Sequence, residues 1–190
     1  EARVIPSLRE VNRRLSALTG WRAVPVGGFL EAPRFFASLA RRRFPTTITI
    51  RSADSLEYTP EPDIFHDVFG HVPLHADRRF AEFLRRFGAL AARPKDEEWV
   101  TRMARLFWFT VEFGLIRERG GIRVYGSGLI SSSAEAAHAL SDRCVHRPFR
   151  IEEVFETPFE IDRIQEVLFV VDDFGVLFDA LSGLNGVGGI

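Results

Sequence analysis

Two histidines in the segment FHDVFGHVP, residues 65–73, are close enough in the chain to bind one ligand together. They are His66 and His71, five positions apart. Neutral imidazole binds zinc, iron, copper and nickel, so the pair is compatible with a metal site but does not name the metal. Two hydrogen-bonded histidines of the core are the alternative, because short motifs often occur by chance. The pair by itself leaves both interpretations open.

The spacing of the pair restricts the backbone that carries it. On a regular α-helix, residues i and i+5 point about 140° apart, so an unbroken helix would hold the two rings on different faces. Gly70 and Pro73 are both residues that interrupt helices. We therefore predict that the helix carrying His66 ends near Gly70 and that the chain turns to bring His71 back towards it.

A third ligand is available in the segment LFWFTVEFGLI, residues 106–116, where Glu112 stands among apolar residues. A glutamate is costly to bury unless it is paired, protonated or bound to a metal. The alternatives are that Glu112 faces water or pairs with an arginine such as Arg105. Two histidines and one carboxylate form the facial triad of non-haem Fe(II) oxygenases. The three residues therefore favour a metal site of that kind.

A zinc hydrolase is the competing metal-dependent class. Zinc peptidases use a His-Glu-x-x-His motif, with the two rings at i and i+4 and the glutamate as the base. Here the histidines are one position further apart, and Asp67 occupies the place of the base. This class remains open, although the spacing fits it less well.

The composition limits the class of protein. A chain of 190 residues with 46% hydrophobic residues is long enough for one domain with a sizeable core. The net charge of −1 gives no indication of a nucleic-acid or membrane partner. Cys144 is the single cysteine, which excludes an intrachain disulfide and fits a reducing compartment. We expect a cytoplasmic protein with neither kind of partner.

The elements that must position these residues are mostly helical. Apolar residues at helical spacing predict helices over 5–20, 34–44, 77–90, 95–116, 131–141 and 174–184. Short β-rich stretches predict strands over 46–51 and 166–173, and a strand that enters a glycine turn over 121–130. The predicted fold class is mainly α with a few short β-strands.

Three motifs, in this order, resemble one enzyme family. They are YTPEPDIFHDVFGHVPL (58–74), FWFTVEFGLI (107–116) and YGSGLISS (125–132). The chain resembles the pterin-dependent aromatic amino acid hydroxylases, most closely their short bacterial members, over nearly its whole length. The resemblance implies a single basket-like catalytic domain over 1–190. It also implies a monomer, without the regulatory domain and tetramer-forming tail of the animal enzymes.

The resemblance implies roles for individual residues. Iron would be held by His66, His71 and Glu112, and the carboxylate of the amino acid substrate by Arg51. Four further residues match positions that line the substrate pocket of the family: Thr59, Pro62, Trp108 and Ser131.

The same resemblance implies a pterin site. The pterin would stack on Phe35, receive backbone contacts from the Gly28-Phe29-Leu30 loop, and reach Asp67 through water. Two residues depart from the pattern of many relatives. Phe107 stands where they have tyrosine, and Asp67 replaces the glutamate common in animal enzymes. Both differences lie in the expected pterin site, so the resemblance defines the contacts to the pterin less fully than the iron ligands.

The activity implied is the hydroxylation of an aromatic amino acid with Fe(II), a tetrahydropterin and O2. The expected reaction converts L-phenylalanine to L-tyrosine, and the same chemistry on tryptophan or tyrosine is the nearest alternative. Two more distant alternatives are a zinc-dependent hydrolase and a non-catalytic relative that binds aromatic amino acids.

Overall fold

The computed structural model describes residues 7–28, 30–52, 62–93 and 95–186. Helices predominate in these ranges, so the predicted mainly α class is confirmed. Two π-helical turns, His66–His71 and Trp108–Glu112, interrupt the α-helical pattern. The α-helices are α1 Leu8–Thr19, α2 Ala32–Ala40, α3 Val72–His75, α4 Arg78–Ala91, α5 Glu97–Phe107, α6 Ser127–Ile130, α7 Ser133–Ala139, α8 Ile151–Glu156 and α9 Gly175–Gly186.

The strands form two small sheets. The first contains β1 (Arg22–Val26) and β2 (Arg43–Thr47), which are parallel. The second has the order β4-β3-β6-β5 and contains β3 Leu115–Glu118, β4 Gly121–Val124, β5 Val145–Pro148 and β6 Val167–Val171. In that sheet β3 and β4 are antiparallel, whereas β6 runs parallel to both β3 and β5.

The ends of α1 follow from local sequence signals. Ser7 and Glu10 form a reciprocal capping box at the start of the helix. Gly20 ends it with a positive φ of 77°, a conformation that glycine adopts without steric cost. The prediction of a helix here, with Gly20 as its cap, is confirmed.

The region around residue 42 differs from the prediction. The helix predicted to reach residue 44 ends at Ala40, and Arg42 turns the chain with a φ of 55°. The strand predicted over 46–51 was also wrong in its bounds, since β2 covers Arg43–Thr47. Pairing with β1 decides this, because it buries Phe44 while Ile50 stays exposed.

The core is centred on α4 and is rich in aromatic rings. Phe80, Phe83 and Phe87 of this helix are fully buried. Gly88 allows α4 to lie directly on α2, because a Cβ there would stand 2.5 Å from the Ala40 nitrogen. The strand that follows α2 places Phe44 against the ring of His71. Within the described ranges, no helix is long and apolar enough to cross a membrane.

Candidate metal centre

The two histidines lie at the ends of the first π-helical turn. The backbone N–H of Val72 donates to the carbonyl of Asp67, five residues earlier. A turn closed by i→i+5 hydrogen bonds is wider than an α-helical turn and brings residues five apart close to the same face. The helix therefore does not end near Gly70, as the sequence predicted. It widens there and continues directly into α3, where Pro73 occupies the first turn.

Glu112 lies at the end of the second π-helical turn. The N–H of Phe113 donates to the carbonyl of Trp108 at 2.8 Å, again an i→i+5 bond. The helix predicted over 95–116 thus consists of α5 followed by this turn, and it stops before β3 begins at Leu115. In both segments the helix therefore widens into a π-helical turn at the residues that are candidate metal ligands.

The three side chains converge. The Nε2 atoms of His66 and His71 are 3.1 Å apart. The Glu112 carboxylate places Oε1 at 3.1 Å from His71 Nε2 and Oε2 at 3.5 Å from His66 Nε2. Ligand atoms about 2.1 Å from one metal ion and at right angles to each other would lie about 3.0 Å apart. The three side chains therefore fit adjacent positions on a single metal ion, and Arg105, the alternative partner of Glu112, donates instead to the Phe155 carbonyl.

The short helix α6 and the residue after it contact the two histidines, each by one hydrogen bond. Ser127 Oγ lies 2.9 Å from His71 Nδ1, and Ser131 Oγ lies 2.7 Å from His66 Nδ1. The backbone N–H of Gly128 lies close enough to the Glu112 carboxylate to contribute to lowering its pKa. The Ser131 hydroxyl also donates to the Ser127 carbonyl at 2.8 Å, so it accepts from His66 Nδ1–H and leaves the Nε2 lone pair for a metal.

Two glycines allow α6 to approach both π-helical turns. A Cβ on Gly70 would lie 2.8 Å from the Ser127 carbonyl oxygen. A Cβ on Gly126 would lie 2.4 Å from the Glu112 carbonyl oxygen. Both distances are shorter than any normal contact of a methyl group, so the site depends on glycine at these positions.

We expect Gly126→Ala to lower the free energy of unfolding by about 2–3 kcal/mol, because its methyl group would meet backbone atoms that have no room to move. Urea unfolding would measure this change. Gly183→Ala is the matched control, since Gly183 lies in α9 and no atom stands within 4 Å of the place its methyl group would take. The substitution there should stabilise the helix by about 0.5–1 kcal/mol. Equal stability of Gly126→Ala and the wild type would contradict the close contact with Glu112.

The protonation states suit metal binding. Burial lowers the pKa of His66 to about 4, so its ring is neutral at neutral pH. Burial by itself would raise the pKa of Glu112, but His71, His66 and the Gly128 N–H together hold it below its usual value. Neutral imidazole and ionised carboxylate are the forms that coordinate a metal.

Asp67, the second residue of the first π-helical turn, points towards β2. Its Oδ2 accepts from the Thr47 N–H at 2.6 Å. Burial raises the pKa of Asp67 to about 6. The hydrogen bond fixes this carboxyl group between the turn and the strand, next to the candidate ligands.

Asp63 connects the candidate ligands to Arg51, and it was not among the residues predicted from the sequence. Its carboxylate accepts from Nε and Nη2 of Arg51, each at 2.8 Å, and from the N–H of His66 at 2.9 Å. Burial would raise the pKa of Asp63, but these donors lower it to about 2. An acidic residue just before a helical segment is a helix-capping signal, and that signal was available in the sequence.

Aromatic rings surround the candidate ligands. Phe44, also missed, packs on the ring of His71 with centroids 4.4 Å apart. Phe35 meets Phe107 edge to face at 5.3 Å, and Phe107 lies 6.4 Å from the ring of His71. Trp108 stacks on Phe159 at 4.4 Å.

Three of the remaining predicted site residues, Gly28, Leu30 and Pro62, have no hydrogen bond or ring contact with the two histidines within the described part of the chain. Gly28 and Pro62 are exposed, and Leu30 is half-buried. Phe29 and Thr59 lie outside the described residues.

Comparisons with known proteins match nearly the whole chain. The family model described as biopterin-dependent aromatic amino acid hydroxylase matches residues 1–183. The phenylalanine-4-hydroxylase of Pseudomonas aeruginosa is 44% identical over 92% of this chain and 66% of its own length. The human tyrosine 3-monooxygenase is 42% identical over 93% of this chain and 33% of its own length.

A solved structure is similar in fold. Chromobacterium violaceum phenylalanine hydroxylase, with bound iron(III) and 7,8-dihydrobiopterin, matches with a TM-score of 0.91 and 39% identity. The match covers 99% of this chain and 70% of that one. Among the curated bacterial relatives, the chain spans 67% of the Caulobacter vibrioides phenylalanine-4-hydroxylase and 60% of the Chromobacterium violaceum one.

Proposed function

Because the chain belongs to the biopterin-dependent aromatic amino acid hydroxylase family, we propose that it is a non-haem iron monooxygenase. It uses a tetrahydropterin and O2 to hydroxylate an aromatic amino acid, and the proposed reaction converts L-phenylalanine to L-tyrosine. The observation that carries this proposal is the convergence of His66, His71 and Glu112 on one point. Two histidines and one carboxylate leave the other coordination positions of an iron ion open.

The three side chains would hold Fe(II), which supplies the chemistry that activates O2, with a tetrahydropterin as the source of electrons. The protein's own contribution is placement and exclusion of water. The hydroxyl groups of Ser127 and Ser131 hold the rings of His71 and His66 in place. The rings of Phe44 and Phe107 beside His71 keep this part of the site apolar.

Arg51 would bind the carboxylate of the amino acid. A guanidinium group offers five N–H donors in a plane and suits a carboxylate better than an ammonium group does. Asp63 takes one edge of this plane through two hydrogen bonds and so fixes its orientation. Asp63 also binds the N–H of His66, so the substrate-binding arginine and the iron ligand are positioned by the same carboxylate.

The substrate ring would lie among Trp108, Pro62 and Thr59, with Ser131 behind His66. Trp108 supports this role because it is half-buried and stacks on Phe159. An apolar, aromatic lining favours a phenyl ring. The hydrogen bond between Ser131 and His66 supports a second role for this serine, which would orient the ring of His66.

The pterin would stack on Phe35, with Gly28, Phe29 and Leu30 contacting the edge of its ring. Phe35 is half-buried and in contact with Phe107, so both rings belong to one aromatic wall. Asp67 would reach the pterin through water from its position beside Thr47.

We also propose that the chain acts as a single catalytic domain, as a monomer, in the cytoplasm, without a nucleic-acid or membrane partner. The family match over residues 1–183 supports a single catalytic domain. The net charge of −1 supports the absence of these two partners, and the single cysteine supports the cytoplasm.

Product analysis tests the proposed reaction. The chain is supplied with Fe(II), a tetrahydropterin and O2, and phenylalanine, tyrosine and tryptophan are offered separately. We expect tyrosine from phenylalanine, identified by mass and retention time, and no product when iron, pterin or O2 is omitted. Faster hydroxylation of tyrosine or tryptophan would make that amino acid the assigned substrate in place of phenylalanine. Failure to hydroxylate any of the three, with one equivalent of iron bound, would overturn the proposed activity, and hydrolysis that requires zinc but not O2 would favour the hydrolase instead.

A further inference from the structure

Ser127 is a buried hydroxyl that contacts one of the candidate iron ligands. Its side chain is fully buried, and its Oγ lies 2.9 Å from Nδ1 of His71. We propose that Ser127 is a positioning residue of the metal centre, which holds the imidazole of His71 with Nδ1–H bonded to its hydroxyl and Nε2 directed at the metal. This inference rests on the proposed function, because it assigns a role towards the iron.

Packing by itself does not orient the ring of His71. The ring is only 2% exposed and lies against the ring of Phe44. The ring of Phe107 is further away and is roughly parallel to the ring of His71. Imidazole has nearly the same shape after a half-turn about its Cβ–Cγ bond, which exchanges nitrogen and carbon positions. Apolar rings do not distinguish these two orientations. A hydrogen-bonding partner at Nδ1 does, and Ser127 is such a partner.

The same hydrogen bond selects the tautomer. A neutral histidine that binds a metal through Nε2 carries its proton on Nδ1. That proton is buried here, and the Ser127 hydroxyl is positioned to accept it. Without the hydroxyl, a buried N–H would lack its partner, which is costly. Partners of this kind typically change metal affinity by about 10–100-fold when they are removed.

The backbone of Ser127 is held firmly enough for this role. Its carbonyl accepts from the N–H of Ser131 at 3.0 Å and from the Ser131 hydroxyl at 2.8 Å. Its backbone also lies directly against Gly70, the residue before His71, where a Cβ would be 2.8 Å from the Ser127 oxygen. The hydroxyl and the imidazole are therefore fixed relative to each other on two packed segments.

Cobalt(II) binding, followed by visible absorption, tests the role of Ser127 without relying on activity. The Ser127→Ala variant removes the hydroxyl and leaves Cβ in place. We expect its affinity for cobalt(II) to fall about 10–100-fold and its absorption bands to shift, because the ring of His71 is no longer fixed. Ser133→Ala is the matched control, since Ser133 lies in α7 and is exposed, and it should bind as the wild type does.

The outcomes distinguish this inference from the proposed function. A wild-type chain that binds one equivalent, with Ser127→Ala unchanged in affinity and spectrum, would overturn the role of Ser127 and leave the metal centre intact. A wild-type chain that binds no cobalt(II) would overturn the metal centre and the role of Ser127 with it.

If Ser127→Ala does not fold, a measurement on the wild type tests the hydrogen bond between Ser127 and His71. In the zinc-loaded chain, nuclear magnetic resonance of ¹⁵N-labelled histidine should show a slowly exchanging proton on Nδ1 of His71. A proton that exchanges rapidly with solvent, or one on Nε2, would overturn the hydrogen bond and the role of Ser127. A serine that merely fills space would not slow this exchange.

Discussion

Glu112→Ala should abolish the binding of one equivalent of Fe(II) and reduce hydroxylation to background. Glu112 is the only carboxylate of the cluster formed with His66 and His71 in the described part of the chain. Its removal takes away both a ligand and the negative charge that offsets the charge of the metal. The loss of affinity should exceed the roughly 10–100-fold cost of removing a partner that only supports a ligand.

His66→Ala should have the same effect, because two protein ligands remain in either variant. Metal content after dialysis, measured by mass spectrometry, provides the number of equivalents bound. Glu118→Ala is the matched control, since Glu118 ends β3 in an exposed position. Circular dichroism checks that each variant is folded. Full metal content in both Glu112→Ala and His66→Ala would refute the three-residue centre.

Arg51→Ala should raise the KM for the amino acid by about 100-fold and change the KM for the pterin by less than about threefold. Loss of a desolvated charge pair typically costs about 2–5 kcal/mol, and about 2.7 kcal/mol corresponds to 100-fold. The pterin has no proposed contact with Arg51, so its KM reports whether the rest of the site is intact. Arg51→Lys, which keeps the charge but not the planar fork, should give an intermediate value.

Steady-state kinetics with each substrate varied in turn measures this difference. Arg85→Ala is the matched control because Arg85 also binds a carboxylate through two nitrogens, that of Glu82, at 2.9 and 2.7 Å on α4. It should leave both KM values unchanged. Equal increases for amino acid and pterin in Arg51→Ala would remove Arg51 from recognition of the substrate. They would indicate instead that the pair with Asp63 supports the whole site.

The sequence alone was sufficient for much of the fold, because helices are specified largely by local patterns. The apolar residues at helical spacing in α1, its capping box and Gly20 all lie within one short stretch of chain. The choice of Glu112 as a candidate ligand was also local, since a glutamate among apolar residues demands a partner. The strand after α2 was placed wrongly because its bounds depend on pairing with β1, which local propensity does not describe.

The tertiary structure decided how the candidate ligands meet. The residue types and order of His66, His71 and Glu112 were readable in the sequence, but the predicted break near Gly70 was wrong. The chain instead widens into a π-helical turn, which brings residues five apart onto one face. Asp63 and Ser127 were missed for a related reason. Their partners, Arg51 and His71, are 12 and 56 residues away. The first pair forms only when the segment after β2 lies against Asp63, and the second only when α6 has packed on the first π-helical turn.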